Sequence, residues 1–341
     1  MRKGLIIVAS LASFALALMC SSCNKTPDGS YLNKVPSIVA SDVENTHLND
    51  LDPHISKKII KGNLTVNIDA DIIAPKAQKI YTRSSDYYDL SDKAFQKLAA
   101  DTLLGDAWKM SDDNYGQLVY SNESGDLYIE PEKHSFIFMS TDMRSNESTE
   151  SNFISDESLD HPYAVKAKEI ADSLGFEQYQ PYLCEKYGKL DKDNQYYLIT
   201  LLRKTDNIFV KNTVLQSTDD ENIPPVEKIE IQIADGKIWS VYIRAASISD
   251  ADKIEVSVIP FSTALEVFEN SGIGVLSEQI ALNTKTDVTE ISLSYIHVSD
   301  DNGYKLIPIW LFLIRNEWEF EGEKIIEYSY LSIDGASAQI I

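Results

Sequence analysis

Basic side chains are scarce: Lys and Arg number 31 against 53 Asp and Glu in 341 residues, a formal charge of −22. Phosphate backbones and anionic lipid headgroups attract positive charge, so a nucleic-acid partner and a basic membrane-binding face are excluded. Cysteine is nearly absent, with three in all. Cys20 and Cys23 lie near the N-terminus and only Cys184 falls in the remainder, so the folded part is expected to do without internal disulfides. No histidine stands near Cys184 in sequence, and it reads as a small buried hydrophobe.

Histidine is as sparse. His47, His54, His134, His161 and His297 stand singly, without HExxH or a close pair, and offer no zinc site of familiar spacing. Asn270-Ser271-Gly272-Ile273-Gly274 is not GxSxG, and no phosphate-cradling glycine pattern occurs. Asp191-Lys192-Asp193-Asn194 opens like a calcium loop but carries Tyr196 where the glycine must stand. Catalytic, metal and cofactor residues are therefore left unassigned. No apolar run reaches the about 20 residues of a membrane-spanning helix.

What is present begins at the N-terminus. Arg2 and Lys3 precede an apolar stretch from Leu5 to Met19, broken by Ser10 and Ser13, which is the layout of an export signal over residues 1–22. Met19-Cys20-Ser21-Ser22-Cys23 resembles a bacterial lipobox. That resemblance implies a diacylglyceryl group on Cys23, with Ser21 and Ser22 at the small positions before it; acylation of Cys20 would instead put bulky Met19 at the cut. Acyl chains contribute about 0.8 kcal/mol per buried methylene, so several on one cysteine make a durable anchor. The chain is accordingly expected on the extracytoplasmic face of the cell membrane, lipid-anchored.

Residues 23–61 carry Pro27, Gly29, Pro36 and Pro53 without sustained periodicity and read as a flexible tether. Residues 141–160, dense in Ser, Asn, Asp and Glu, read as an acidic linker. Three segments with one order of events remain: 62–140, 161–250 and 251–341, the last able to share a sheet with the second. Each opens or continues with a short amphipathic helix followed by alternating strands.

In the first, Leu64, Val66, Ile68, Ala70 and Ile72 alternate with polar residues as a strand. A helix over 91–104 follows, capped by Ser91 and stopped by Gly105, and strands over 117–120, 127–130 and 134–139. In the second, Pro162 opens a helix that Gly175 stops, strands follow over 196–203 and 208–210, and Asp235-Gly236 closes a tight hairpin between Ile229-Ile231-Ile233 and Lys237–Ile243. In the third, Thr263 and Glu266 are spaced as a capping box, Gly272 is read as the helix stop, and strands run over 290–298, 304–314 and 325–333. A helix on one face of an antiparallel sheet hides both stripes at once, so the fold class is α+β, in tandem helix-on-sheet modules.

The start Asn24-Lys25-Thr26-Pro27, the hairpin over 228–241, the stretch Ile259–Phe268, the strands Glu290–Tyr295 and Tyr304–Trp310, and the close Tyr330–Gly335 together resemble an uncharacterised family of Gram-positive bacterial lipoproteins. The helix-then-strands order is also similar to PepSY-like and cystatin-like domains of exported regulatory and inhibitory proteins. That likeness implies binding or restraint of a partner at the cell surface and brings no active-site residues.

Tyrosine is overused, 18 against 11 Phe, with Tyr81, Tyr87, Tyr88, Tyr196 and Tyr197 as candidates for an interface with a peptide or glycan; Trp310 and Trp318 read as core. The function expected is a non-enzymatic binding or regulatory role in the cell envelope, with an envelope protein or peptide as partner and no cofactor. A rival reading is an envelope hydrolase using a carboxylate pair, and a third is a structural assembly subunit.

Overall fold

The computed structural model describes residues 45–62, 64–76, 79–112, 116–144, 152–188, 195–212, 224–279, 284–300, 303–320 and 323–341, all within one compact unit spanning 38–341. The signal, both N-terminal cysteines and Asp191–Asn194 lie outside the described residues. Among the described residues no helix is long and apolar enough to cross a membrane.

The chain is mixed α and β and mostly strand. A ten-stranded antiparallel sheet runs in the order β4 (Lys109–Asp112), β5 (Leu118–Asn122), β6 (Gly125–Glu130), β7 (Ser135–Ser140), β13 (Lys237–Arg244), β12 (Lys228–Ala234), β10 (Tyr196–Thr205), β9 (Tyr179–Gly188) and β8 (Asn152–Asp156), with β11 (Ile208–Phe209) beside β10. Helices α1 (Lys93–Leu104) and α2 (Pro162–Ser173) pack on one face of it. Their Phe95, Ala99, Leu103, Ala167 and Ile170 meet Leu127, Phe136, Ile199, Ile231 and Val241 in one core. Each fully buried Leu, Ile or Phe contributes about 1.5–3 kcal/mol.

The second sheet has eight strands, in the order β1 (His54–Lys61), β2 (Leu64–Ile73), β16 (Lys285–Asp300), β17 (Gly303–Phe320), β3 (Ile80–Tyr87) and β14 (Ala246–Ile248). β15 (Ile254–Val256) pairs with β3, and β18 (Glu323–Asp334) with β17. The β2–β16 pair is parallel; the others are antiparallel. Helices α3 (Phe261–Val267) and α4 (Ile273–Gln279), joined by a π turn over Phe268–Gly272, supply Phe261, Phe268 and Leu276 to a core with Trp310, Phe312 and Leu331.

Several sequence expectations change. The tether does not extend to residue 61: Asn45 is stitched to Val256 and Val258 by its side-chain amide, and His54–Lys61 form the edge strand β1. Lys57, Lys58 and Lys61 mask that strand in the sequence, because an exposed edge tolerates charge where a central strand would show alternation. The expected linker contributes β8 at its end.

The modules do not stay separate. The segment 62–140 divides, with β2 and β3 joining the C-terminal strands and β5–β7 joining the sheet of the second segment through β7–β13. Sheet sharing therefore links the first and second segments through β7–β13, and it also joins the second and third, since β14 of the second lies in the smaller sheet with β15–β18 of the third, though by way of β3.

Helix signals shift as well. Asp92 caps α1, accepting from Ala94 N at 2.8 Å, while Ser91 turns to Asp89. The helix over 261–267 begins after Pro260, so Thr263 lies inside it and forms no capping box. Gly272 does not stop the helical run: a Cβ there would sit 3.0 Å from Leu331 Cδ1, so the glycine serves a close approach between helix and sheet. The Asp235-Gly236 turn forms as expected, with φ of 49° and 73°.

Candidate functional site

Two places concentrate chemistry: the junction of the sheets and the face of the larger sheet opposite its helices.

At the junction, the Asp206-Asn207 turn between β10 and β11, both residues at positive φ, reaches the smaller sheet. Arg83, 4% exposed, donates from Nη1 and Nη2 to the two Asp206 carboxylate oxygens at 2.6 and 2.9 Å and from Nε to Asp250 at 2.9 Å. The Tyr295 hydroxyl also donates to Asp206, at 2.9 Å. Lys211 reaches Glu290 and Ser292 at 2.5 and 3.1 Å.

Glu227 is wholly buried and its Oε1 accepts from Arg203 Nε (2.7 Å), Ala246 N (3.2 Å) and the Tyr179 hydroxyl (3.3 Å). Its Oε2 stands 3.6 Å from His297 Nε2, and His297 Nδ1 lies 2.9 Å from Ser85 Oγ. Burial works to raise the Glu227 pKa, yet His297 and Arg203 hold it below the usual carboxylate value. The adjoining cavity, lined by Lys211, Asn212 and His297 among others, is about 10 Å³, room for one water. These groups fasten the sheets to each other; the space beside His297 admits no substrate, while an open hollow of about 560 Å³ lies beside the Asp206-Asn207 turn, lined also by Gln178, Gln180 and Lys204.

The face of the larger sheet away from α1 and α2 is different. Alternation puts Tyr128, Ile137, Met139, Tyr242, Gln232, Leu198, Glu185 and Tyr187 on it, and every one is only half-buried. A β-bulge where β13 meets Gln232 and Ile233 leaves Trp239 as the extra residue. Bulges re-aim side chains, and Trp239 leans over β12 to Tyr196, with centroids 5.7 Å apart. Tyr196 stacks on Tyr187 at 5.4 Å and 10°, and Tyr187 meets Phe153 edge-on at 5.8 Å. A file of four rings thus crosses the sheet from β13 to β8.

Carboxylates are interleaved with the rings. Glu185 and Asp156 are register partners, and Glu230 lies across β10 from them. Burial, then the Asp156 charge, pushes the Glu185 carboxyl above its ordinary value. Burial and Glu185 push the Tyr187 hydroxyl up to about 12. Among the described residues no cation lies within ion-pair distance of Glu185 or Asp156, whereas Glu230 holds Lys228 at 2.9 Å. Lys228 and Arg244 also stand over the Tyr242 ring, at 6.0 and 5.6 Å.

The sequence candidates scatter. Cys23 and Cys20 lie outside the described residues. Cys184 is buried in the larger sheet's core. The histidines do not converge: His54 bridges Asp69 and Asp71, His134 stacks on Tyr87 at 3.8 Å, His161 caps α2, and His297 sits at the junction. Among the described residues no group of His, Cys, Asp or Glu could hold a metal ion.

Of the tyrosines singled out, Tyr196 belongs to the ring file. Tyr197 faces the other way, against His161 and Tyr163. Tyr81 lies under Arg83 and Lys253, and Tyr88 packs on Phe95 and Phe176. Trp310 is core, its Nε1 donating to Ile259 O, while Trp318 is only half-buried. Trp239, Tyr187 and Phe153 are not legible from local pattern, because a bulge and the pairing of three distant strands bring them together.

No family model matches the chain, and no curated protein matches it. Among solved structures, an uncharacterised protein from Eubacterium rectale is similar over 87% of this chain and 97% of that one, at 14% identity and a TM-score of 0.59. YycH from Bacillus subtilis aligns over 80% of this chain and 56% of its own, at 11% identity and a TM-score of 0.38. At such identity the first likeness is one of fold.

Proposed function

We propose that the chain is an extracytoplasmic lipoprotein, anchored through Cys23, that binds another envelope protein or peptide on the open face of its larger sheet and performs no catalysis. The observation that carries this reading is the ring file Trp239–Tyr196–Tyr187–Phe153 on the face opposite α1 and α2. Large amphipathic rings contribute most at interfaces, and helices on one side of a sheet leave the other free for a partner. The lipobox-like segment and the family resemblance of the sequence support the location. Each half of the larger sheet, one helix on an antiparallel meander, is read as a PepSY-like unit.

Glu185 beside Asp156 is the one feature that favours the rival reading, a hydrolase acting through a carboxylate pair. Acid–base work of that kind is done in a concave cleft that surrounds the scissile bond, and these carboxylates stand on an open sheet face. Binding is therefore preferred.

The test is photo-crosslinking in native membranes from Leu183 and Ser240 on the face, with Val165 on the outer side of α2 as the control position. One dominant heterologous adduct from the face alone is expected. Equal capture from Val165, or adducts only between copies of the chain, would reject the reading, the latter in favour of an assembly subunit. Cys23→Ala should release the protein from the membrane fraction or leave it there unprocessed with its signal; a membrane-bound variant with no unprocessed form would reject the anchor.

A further inference from the structure

We infer that the segment bound on this face is an extended, cationic polypeptide, with Lys or Arg side chains alternating along it. The inference rests on the proposed binding role and adds the partner's chemistry.

Charge on the face leans acidic. Asp126, Glu130, Asp156, Glu185 and Glu230 share it with Lys109, Lys228 and Arg244; Glu130 and Glu230 already hold Lys133 and Lys228, at 3.0 and 2.9 Å, which leaves the Glu185–Asp156 pair as the place where negative charge gathers. Lys228 shows how the face treats a cation: Glu230 accepts its hydrogen bond while the Tyr242 ring lies beneath it. Such a site combines an ion pair with a cation–π contact, and the two reinforce each other away from bulk water.

Glu185 repeats this arrangement without the cation. Tyr187 lies beside it, its hydroxyl 3.5 Å from Oε1, and Asp156 stands opposite. Two carboxylates in register, one of them half-buried, repel each other, and an arriving ammonium or guanidinium relieves that repulsion. Side chains on one edge of an extended peptide recur every second residue, about 6.5–7 Å apart, somewhat more than the 5.4–5.8 Å between successive rings, so two neighbouring side chains of the peptide can each meet a ring or carboxylate of the file. A neutral glycan would stack on the rings equally well but would leave the repulsion between Glu185 and Asp156 unrelieved.

The experiment uses the full chain in a zwitterionic detergent at about 150 mM salt, where charges far from one another are screened. Calorimetry measures binding of a blocked decapeptide alternating Lys and Thr, of the same peptide with Glu for Lys, and of a chitin hexasaccharide. Binding of the lysine peptide alone is expected. The double change Glu185→Gln, Glu230→Gln should weaken it about tenfold, and Trp239→Ala several-fold.

The charge-matched change Asp160→Asn, Glu169→Gln, at exposed positions flanking and on α2, should leave it within about twofold. Equal loss in both charge variants would mean diffuse attraction to an acidic protein and would overturn the inference, as would absence of lysine-peptide binding or preference for the hexasaccharide. A dominant crosslinked partner on the face with no binding of the lysine peptide would sink the inference and leave the binding role standing. Absence of any face-specific partner would remove both.

Discussion

Glu227 and His297 face each other across the junction of the two sheets, with Oε2 and Nε2 3.6 Å apart, while the other carboxylate oxygen is taken by Arg203 from the larger sheet. Removing the carboxylate leaves Arg203 buried without its partner, so Glu227→Ala should cost about 3–5 kcal/mol. Because the folded pKa of Glu227 lies below its unfolded value of 4.5, its stabilisation is complete above that value and is lost as pH falls through the folded pKa. Urea unfolding at a series of pH values should show a shallower acid limb for Glu227→Gln than for the native chain. An unchanged slope would mean that this carboxylate does not govern acid stability.

The Arg83 clamp separates a buried contact from an exposed one on the same side chain. Asp206 holds both guanidinium nitrogens and is 19% exposed, whereas Asp250 is 74% exposed. Arg83→Lys keeps the charge but loses the planar fork, and a loss of about 1.5–3 kcal/mol is expected. Asp250→Asn should change stability by less than about 1 kcal/mol. Comparable losses from the two variants would contradict this division.

Much of the larger sheet was legible because its elements are local. The 228–244 hairpin announces itself by Ile229, Ile231 and Ile233 and by Asp235-Gly236, and α2 by Pro162 and Gly175, whose φ is +86°. The smaller sheet was not, because its pairing is remote: Val66 lies beside Thr286, and Ser85 beside Tyr304. Alternation tells that a strand has a buried face and says nothing of its neighbour. The ring file was half visible, through Tyr196; Trp239 needed the bulge and Phe153 needed β8, which reads as linker because it is a short edge strand.

Gly272 and Gly274 lie two residues apart and should respond in opposite directions to alanine. At Gly272 the added methyl meets Leu331 Cδ1 at 3.0 Å and Phe268 Cδ2 at 3.3 Å, within the core that joins the π turn to β18. Overpacking of this kind costs about 1–3 kcal/mol. At Gly274, in α4, nothing lies within 4 Å of the new carbon, and alanine should add about 0.4–1 kcal/mol by reducing unfolded-state freedom. Thermal unfolding of the two single variants distinguishes them, and destabilisation by both would show that helix geometry here is set by more than the Leu331 contact.

Cys184 should behave as a core residue in its chemistry as well as its position. It is 2% exposed, and burial, followed by the charges of Glu157 and Glu185, pushes its thiol up to about 11. At pH 8 about a thousandth of such a thiol is ionised, and the thiolate is the species that attacks disulfide reagents. In a Cys20→Ser, Cys23→Ser chain, where Cys184 is the one thiol left, a chromogenic aromatic disulfide should therefore react slowly under native conditions and at once in guanidinium. The raised pKa also sets a direction with pH: the unfolded thiol ionises near its ordinary value of 9.0 while the folded one does not, so stability should decline as pH rises past that point. Cys184→Ala should flatten that alkaline decline. Native labelling at the rate of a free thiol would show that the strand pair β9–β10 opens locally, which the continuous register from Tyr187–Tyr196 to Leu183–Thr200 argues against.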